Sequence, residues 1–317
     1  MAFVWRFLLV ALGLSLAGLS ATAQPSMVMP RVIIVSSDNT AAYMEAAQTL
    51  IAELGRNGIS SYDIRRLNVS EWQAQADQMT KAAVYVTLGT RATETLVAVR
   101  VSSPILAALI PRSSFERVLR SGGRKPSSGL TAIYLDQSLA RQLALIRLAM
   151  PQARRIGVLW GADSWSMAPT LRALMDPMDL TLTEAGLEES HRVFPDLQQV
   201  LNDSDVFLAL ADPVVFNSNT IQNILLTTFR AKVPVVAFSP AYVRAGALLA
   251  LHTTPEQVGR QAAGLVQDVL NGKSLPEKPV ESNDFEVSVN AHVGRAFNLS
   301  LDGKALRSTL RRLEHLP

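Results

Sequence analysis

Short runs of β-branched and aliphatic residues alternate along this chain with longer stretches in which apolar positions recur every three or four residues. That rhythm predicts parallel strands covered by helices. The first unit shows it plainly: VIIVSS (Val32 to Ser37) reads as a strand buried on both faces. Ala42, Ala46, Leu50, Ile51 and Leu54 then share one helical face, which stops at Gly55 to Gly58. A weaker strand from Tyr62 to Leu67, a helix around Glu71 to Met79, a strand from Ala83 to Gly89, a helix from Arg91 to Val99 and a strand from Ile105 to Ile110 complete one α/β series. RSGGRKPSSG (120–129) is the most loop-like stretch, its glycines, serines and proline offering turns and little to bury.

A strand (Leu130 to Leu135) and a strong helix (Gln137 to Met150) lead into a second series. Strands are expected at Ile156–Gly161, Leu180–Leu187, Val206–Asp212, Val233–Ser239 and Gly246–Leu251, with helices at Ser166–Met175, Phe194–Leu201 and Asn219–Arg230. The tail restarts with Thr254-Pro255-Glu256-Gln257, a capping box with proline at the first helical position, and its helix stops at Asn271-Gly272. A proline turn, a strand near Phe285 to Val289, a short helix from Ala291 to Phe297 and a basic amphipathic helix from Lys304 to Leu313 follow. This tail is too small for a third domain and is expected to return and complete the first two. The fold class is therefore α/β, with two doubly wound parallel-sheet lobes joined by a multi-crossing hinge. Lobe 1 spans 24–136 and is completed by about 254–277; lobe 2 spans 137–253 and is completed by about 278–317.

Composition narrows the setting. The 317 residues are 48% apolar and 18% charged, ordinary for globular domains, and there is no cysteine, which excludes disulfides and thiolate chemistry. A formal charge of +3 gives no strong field, and the basic tail helix also carries Leu306, Leu310 and Leu313, so no nucleic-acid partner is expected. Residues 1–23 combine one arginine, an apolar run from Phe7 to Leu19 and Ala21-Thr22-Ala23, the pattern of a cleaved signal peptide. A mature chain soluble in the periplasm is expected.

Enzyme signatures are mostly absent: there is no GxSxG elbow, Walker A loop, HExxH or GxGxxG after a strand. His191, His252, His292 and His315 lie far apart and read as surface or packing residues rather than ligands or bases. No cofactor and no metal is implied. Polar and small residues do cluster after the strands, where open α/β sheets bind their ligands. That position selects Ser37 and Asp38, Gly89 and Thr90, Trp160 and Asp163, Asp212, and Ser239 and Tyr242 as ligand-binding candidates. Each has a plainer alternative. Asp212 follows six apolar residues and serves either a ligand ammonium or a backbone cap. Gly89-Thr90 is either an anion nest or a helix start. Trp160, Trp165, Phe238 and Tyr242 are either cleft walls or core.

From Ser128 to about Asp302 the sequence resembles the substrate-binding proteins of the tryptophan/tyrosine ABC uptake type, in the periplasmic-binding-protein-like class I superfamily. The resemblance is carried by QLALIRLAMPQARRIGVLWG, VPVVAFSPAYVRAGALLAL, TTPEQVGRQAAGLVQDVLNGKSLPEKPVE and FEVSVNAHVGRAFNLSL, and more weakly by VYVTLGTRATETL in the first lobe. It implies a monomeric, non-catalytic receptor that closes on an amino acid or similar small solute and delivers it to an inner-membrane ABC permease. The cleft would be built near Ser37, Gly89-Thr90, Asp212 and Ser239. The chain departs from the family pattern after the fourth strand, where it runs ALIPRSSFERVL. A sensing or envelope-assembly module with the same lobes, and a hydrolase or transferase, are the competing readings.

Overall fold

A computed structural model describes residues 30–76, 81–187 and 193–314. The expected signal peptide, His191, His315 and the end of the helix expected to reach Met79 lie outside the described residues.

The first sheet holds β1 (Val32–Ser36), β2 (Ile64–Asn68), β3 (Val84–Leu88), β4 (Ile105–Ile110) and β5 (Leu130–Tyr134), all parallel, in the order β2-β1-β3-β4-β5. Its central strands are buried on both faces, which is why they read as unbroken apolar runs. Val32 and Ile34 pack beneath α1 (Ala41–Arg56) and α10 (Pro255–Leu270). Ile33 and Val35 meet the other layer, formed by α2 (Val69–Gln75), α3 (Thr90–Val99) and α4 (Arg112–Ser121).

The second sheet holds β6 (Arg155–Trp160), β7 (Thr181–Gly186), β8 (Val206–Leu208), β9 (Val235–Ala237), β10 (Leu249–His252) and β11 (Glu286–Val289), in the order β11-β10-β9-β8-β6-β7. Only β11 among these runs antiparallel. On one face lie α5 (Leu139–Ala149), α6 (Ala168–Met175) and α12 (Gly303–Glu314); on the other lie α7 (Val193–Asn202), α8 (Ile221–Arg230) and α9 (Pro240–Ala245). The remaining short helix, α11 (Ala291–Ala296), starts on an Asn290 side chain that accepts from His292 and Val293. Two largely parallel sheets of this kind, joined by a multi-crossing hinge, are the type I periplasmic-binding-protein architecture that the sequence predicts.

The structure revises several local expectations. The segment 111–121, unassigned by pattern, is the helix α4, whose Phe115, Val118 and Leu119 are buried. β8 stops at Leu208 rather than Asp212, because the chain leaves the ladder after a last bond from Ala209 N to the Val236 carbonyl, 2.9 Å. Ser239 is the N-cap of α9, and Tyr242 lies in its first turn.

Three segments cross between the sheets. The first runs from Leu135 to Ser138, the second is Thr253-Thr254, and the third follows Val280, which still pairs with Ile133 at the edge of the first sheet. The return therefore falls at Glu281–Phe285, slightly later than 278. One arginine ties these crossings together: Arg141 Nη1 donates to Gln137 Oε1 at 2.6 Å and to the Ser282 carbonyl at 3.0 Å, while Gln137 donates to Thr253 Oγ1. Its guanidinium also lies 4.6 Å over the Phe285 ring.

Beside the second crossing, His252 Nε2 and Ser288 Oγ are 2.9 Å apart. Burial holds this imidazole below its ordinary value of 6.5, against a weaker opposing bond with the Thr253 backbone. Between the lowered value and about 6.5 the unfolded chain binds more protons than the native state. Stability is then complete above that window and falls as the pH drops through it. Thermal melts should show a decline on acidification below about 6.5 that flattens in His252→Gln; an unchanged pH profile in that variant would remove His252 as its source.

Candidate interlobe site

The carboxyl ends of the parallel strands of both sheets face the space between the lobes, which helix α4 bridges through Ser113 and Arg117. On lobe 1 the helix α3 begins at Gly89, which has no side chain to cap it. Ser37, at the end of β1, supplies the cap from a distance: its Oγ accepts from Ala92 N at 3.1 Å and donates to the Leu88 carbonyl at 3.0 Å. The Tyr43 hydroxyl bonds to the same serine, and burial raises the Tyr43 pKa above its usual value. Gly89 sits at φ +89°, ψ 170°, a conformation essentially reserved for glycine, and a Cβ there would fall 2.3 Å from Tyr43 Oη. Thr93 closes the turn by donating to the Gly89 carbonyl at 2.9 Å. The amides of Thr90 and Arg91 have no acceptor among the described residues, so the positive end of α3 is open. Asp38 is exposed, and its Oδ1 accepts from Thr40 N at 2.8 Å ahead of α1.

Lobe 2 is organised around Asp212, which is 2% exposed. Its Oδ2 accepts from Asp163 N at 3.1 Å and Ser164 N at 2.8 Å, and its Oδ1 from Val214 N at 2.9 Å. The carboxylate thus orders two loops, which is the backbone-cap alternative. Gly161 makes room for it, since a Cβ there would lie 2.2 Å from Oδ1. Asp163 turns its side chain to lobe 1. Trp160 is a correction: alternation along β6 sends Ile156, Val158 and Trp160 into the core beneath α5 and α6, where Trp160 Nε1 donates to Glu184 Oε2 at 2.5 Å. It forms no cleft wall. Its neighbour Trp165 is 52% exposed, with its ring against Gly186.

Ser239 caps α9 by accepting from Ala241 N at 3.2 Å. Around it lies an aromatic group: Phe238 and Tyr242 meet edge to face at 4.9 Å, and Phe216 meets Phe238 at 5.8 Å. Phe238 and Tyr242 are only half-buried, at the carboxyl end of β9, and burial raises the pKa of the Tyr242 hydroxyl.

Pattern reading missed the residues that α4 brings to this space. Ser113 Oγ donates to the Ala211 carbonyl at 3.4 Å, and Arg117 pairs with Asp163 at 2.6 Å, both across the cleft. Asp136, after β5, accepts from Arg112 N at 2.6 Å, with burial raising its carboxyl pKa against the opposing effect of that amide and the Arg112 guanidinium. The apolar spacing Phe115, Val118, Leu119 behind Pro111 was the signal available for α4. Among the described residues no group of three or more His, Asp or Glu could hold a metal ion, and no helix is long and apolar enough to cross a membrane.

Two α/β lobes meeting strand end to strand end, with helix α4 of one bonded to loops of the other, define the class: a two-lobed cleft protein. Residues 78–307 match the family described as ABC transporter substrate binding protein, and the chain belongs to it. A tyrosine-binding protein of Clostridioides difficile (strain R20291) is 26% identical over 179 residues, 55% of this chain and 51% of that protein. The chain thus spans about half the length of that curated relative. The fold recurs in the ligand-free, open structure of CD0873 from Clostridium difficile, a substrate binding protein with adhesive properties (TM-score 0.65, 18% identity, 86% of this chain and 95% of that one). It recurs also in the ABC domain from Streptococcus pneumonia in complex with L-Trp (TM-score 0.60, 14% identity, 87% and 97%).

Proposed function

We propose that the chain is the exported solute receptor of an ABC importer, and that its cleft takes an amino acid with an aromatic or large apolar side chain. One juxtaposition carries the reading. Lobe 1 offers the uncapped amides of α3, suited to a carboxylate, and lobe 2 offers the half-buried rings of Phe238 and Tyr242, suited to a ring or aliphatic chain. A solute touching both favours the closed form, because only such contacts discriminate closed from open. The leader-like residues 1–23 support export, and the names of the tyrosine- and L-Trp-binding relatives support the solute class. Asp212 plays no part in this recognition, since both its oxygens are engaged by backbone amides.

A thermal-shift screen of the mature protein against amino acids, their deaminated acids, nucleosides and sugars tests it, followed by calorimetry of the hit. Tyr242→Ala should weaken binding about five- to thirtyfold, through the loss of about 1–2 kcal/mol of ring contact. Stabilisation by sugars or nucleosides alone would overturn the solute class. Copurification of the tagged receptor with a membrane permease would support the transport role; a complex with a sensor kinase instead would replace it.

A further inference from the structure

Arg117 and Arg120 lie on the solvent face of α4, opposite the buried Phe115, Val118 and Leu119. Both reach the same carboxylate on the other lobe: Arg117 Nη1 is 2.6 Å from Asp163 Oδ2, and Arg120 Nη2 is 3.6 Å from Asp163 Oδ1. The Asp163 side chain is only 12% exposed, so this is less screened than a free surface pair. Neither partner is on a loose support. Asp163 sits in the loop that Asp212 orders, and the start of α4 is fixed where Asp136 accepts from Arg112 N. Ser113 adds a second bond across the gap, to the Ala211 carbonyl.

We propose that Asp163, with Arg117 and Arg120, is a latch that holds the lobes together without any solute, so that these residues set solute affinity by positioning rather than by contact. The proposal builds on the cleft that the preceding reading uses but not on the solute assigned to it. A latch that favours the closed form raises affinity by the same factor as it raises the closed population, until that population saturates. Salt weakens it, since two of its three charges are partly solvated.

The absence of cysteine makes the test clean. Spin labels on Glu94→Cys in lobe 1 and Thr170→Cys in lobe 2, both exposed positions, report the interlobe distance in the solute-free protein. Asp163→Asn, and separately Arg117→Gln from the other lobe, should lower the closed-to-open ratio about three- to tenfold. Raising NaCl from about 0.05 to 0.5 M should do the same in the parent protein and little in the variants. The exchange of Arg117→Asp with Asp163→Arg, made in an Arg120→Gln background, should recover the short distance. Distance distributions that are the same in the parent, in both single variants and at both salt concentrations would overturn the latch, whatever the solute screen returns. So would single variants that open the lobes without recovery on charge exchange, which would mark a local packing defect instead.

Discussion

Asp212→Ala is expected to cost the second lobe about 3 kcal/mol, because three amides, one buried and two part-buried, lose a charged acceptor at once. The melting temperature should fall by roughly 6–10 °C. The carboxylate lies against Gly161, where a Cβ would come 2.2 Å from Oδ1, so no larger side chain at that glycine leaves it in place. Asp212→Asn keeps one acceptor oxygen and turns an amide nitrogen toward backbone N–H groups, so about half the loss is expected. Solute affinity, measured well below the melting temperature, should change by no more than a few-fold in the Asn variant. A tenfold or greater loss of affinity with unchanged melting would return Asp212 to direct contact with a ligand amine.

Gly89→Val should be more disruptive still. Forcing a β-branched residue to φ +89°, ψ 170° costs about 1–3 kcal/mol of backbone strain. Its Cβ would also fall 2.3 Å from Tyr43 Oη and 2.7 Å from Ser37 Oγ. Displacing these groups adds about 1–3 kcal/mol of overpacking. Together about 2–6 kcal/mol is expected, along with loss of solute binding, because Ser37 then no longer caps Ala92 N and the entrance to the α3 amides is filled. Chemical denaturation gives the first quantity and calorimetry the second. A folded Gly89→Val protein with parental affinity would show that the start of α3 is not part of the site.

The layered fold was legible because its signals are local. VIIVSS is buried on both faces and reads so; Thr254 and Gln257 form the capping box they spell, with Gln257 N donating to Thr254 Oγ1 at 3.2 Å. The strand-end positions of Ser37, Gly89 and Ser239 were legible for the same reason. What each polar group bonds to was not. Ser37 caps a helix that begins more than fifty residues away, and Asp212 serves amides on a different strand's loop, so their partners depend on which strands become neighbours. Trp160 misled because it ends a buried strand, and only the parity of β6 sends its ring into the core. α4 escaped notice because its charged face outweighs three apolar anchors, and its importance comes from the opposite lobe.

The arrangement of α1 and α10 carries a consequence for the order of events during synthesis. Gly259 lets α10 approach so closely that a Cβ would lie 2.5 Å from the Ala46 carbonyl, and the two helices share the apolar face formed by Ala46, Ala47, Leu50 and Leu54. A growing chain makes that face early and its cover late, after every strand from β6 to β10 has been added. The lobe encoded first is therefore closed only after most of the second has been made, and until Pro255–Leu270 emerges it presents an uncovered helical stripe of the kind holdase chaperones bind.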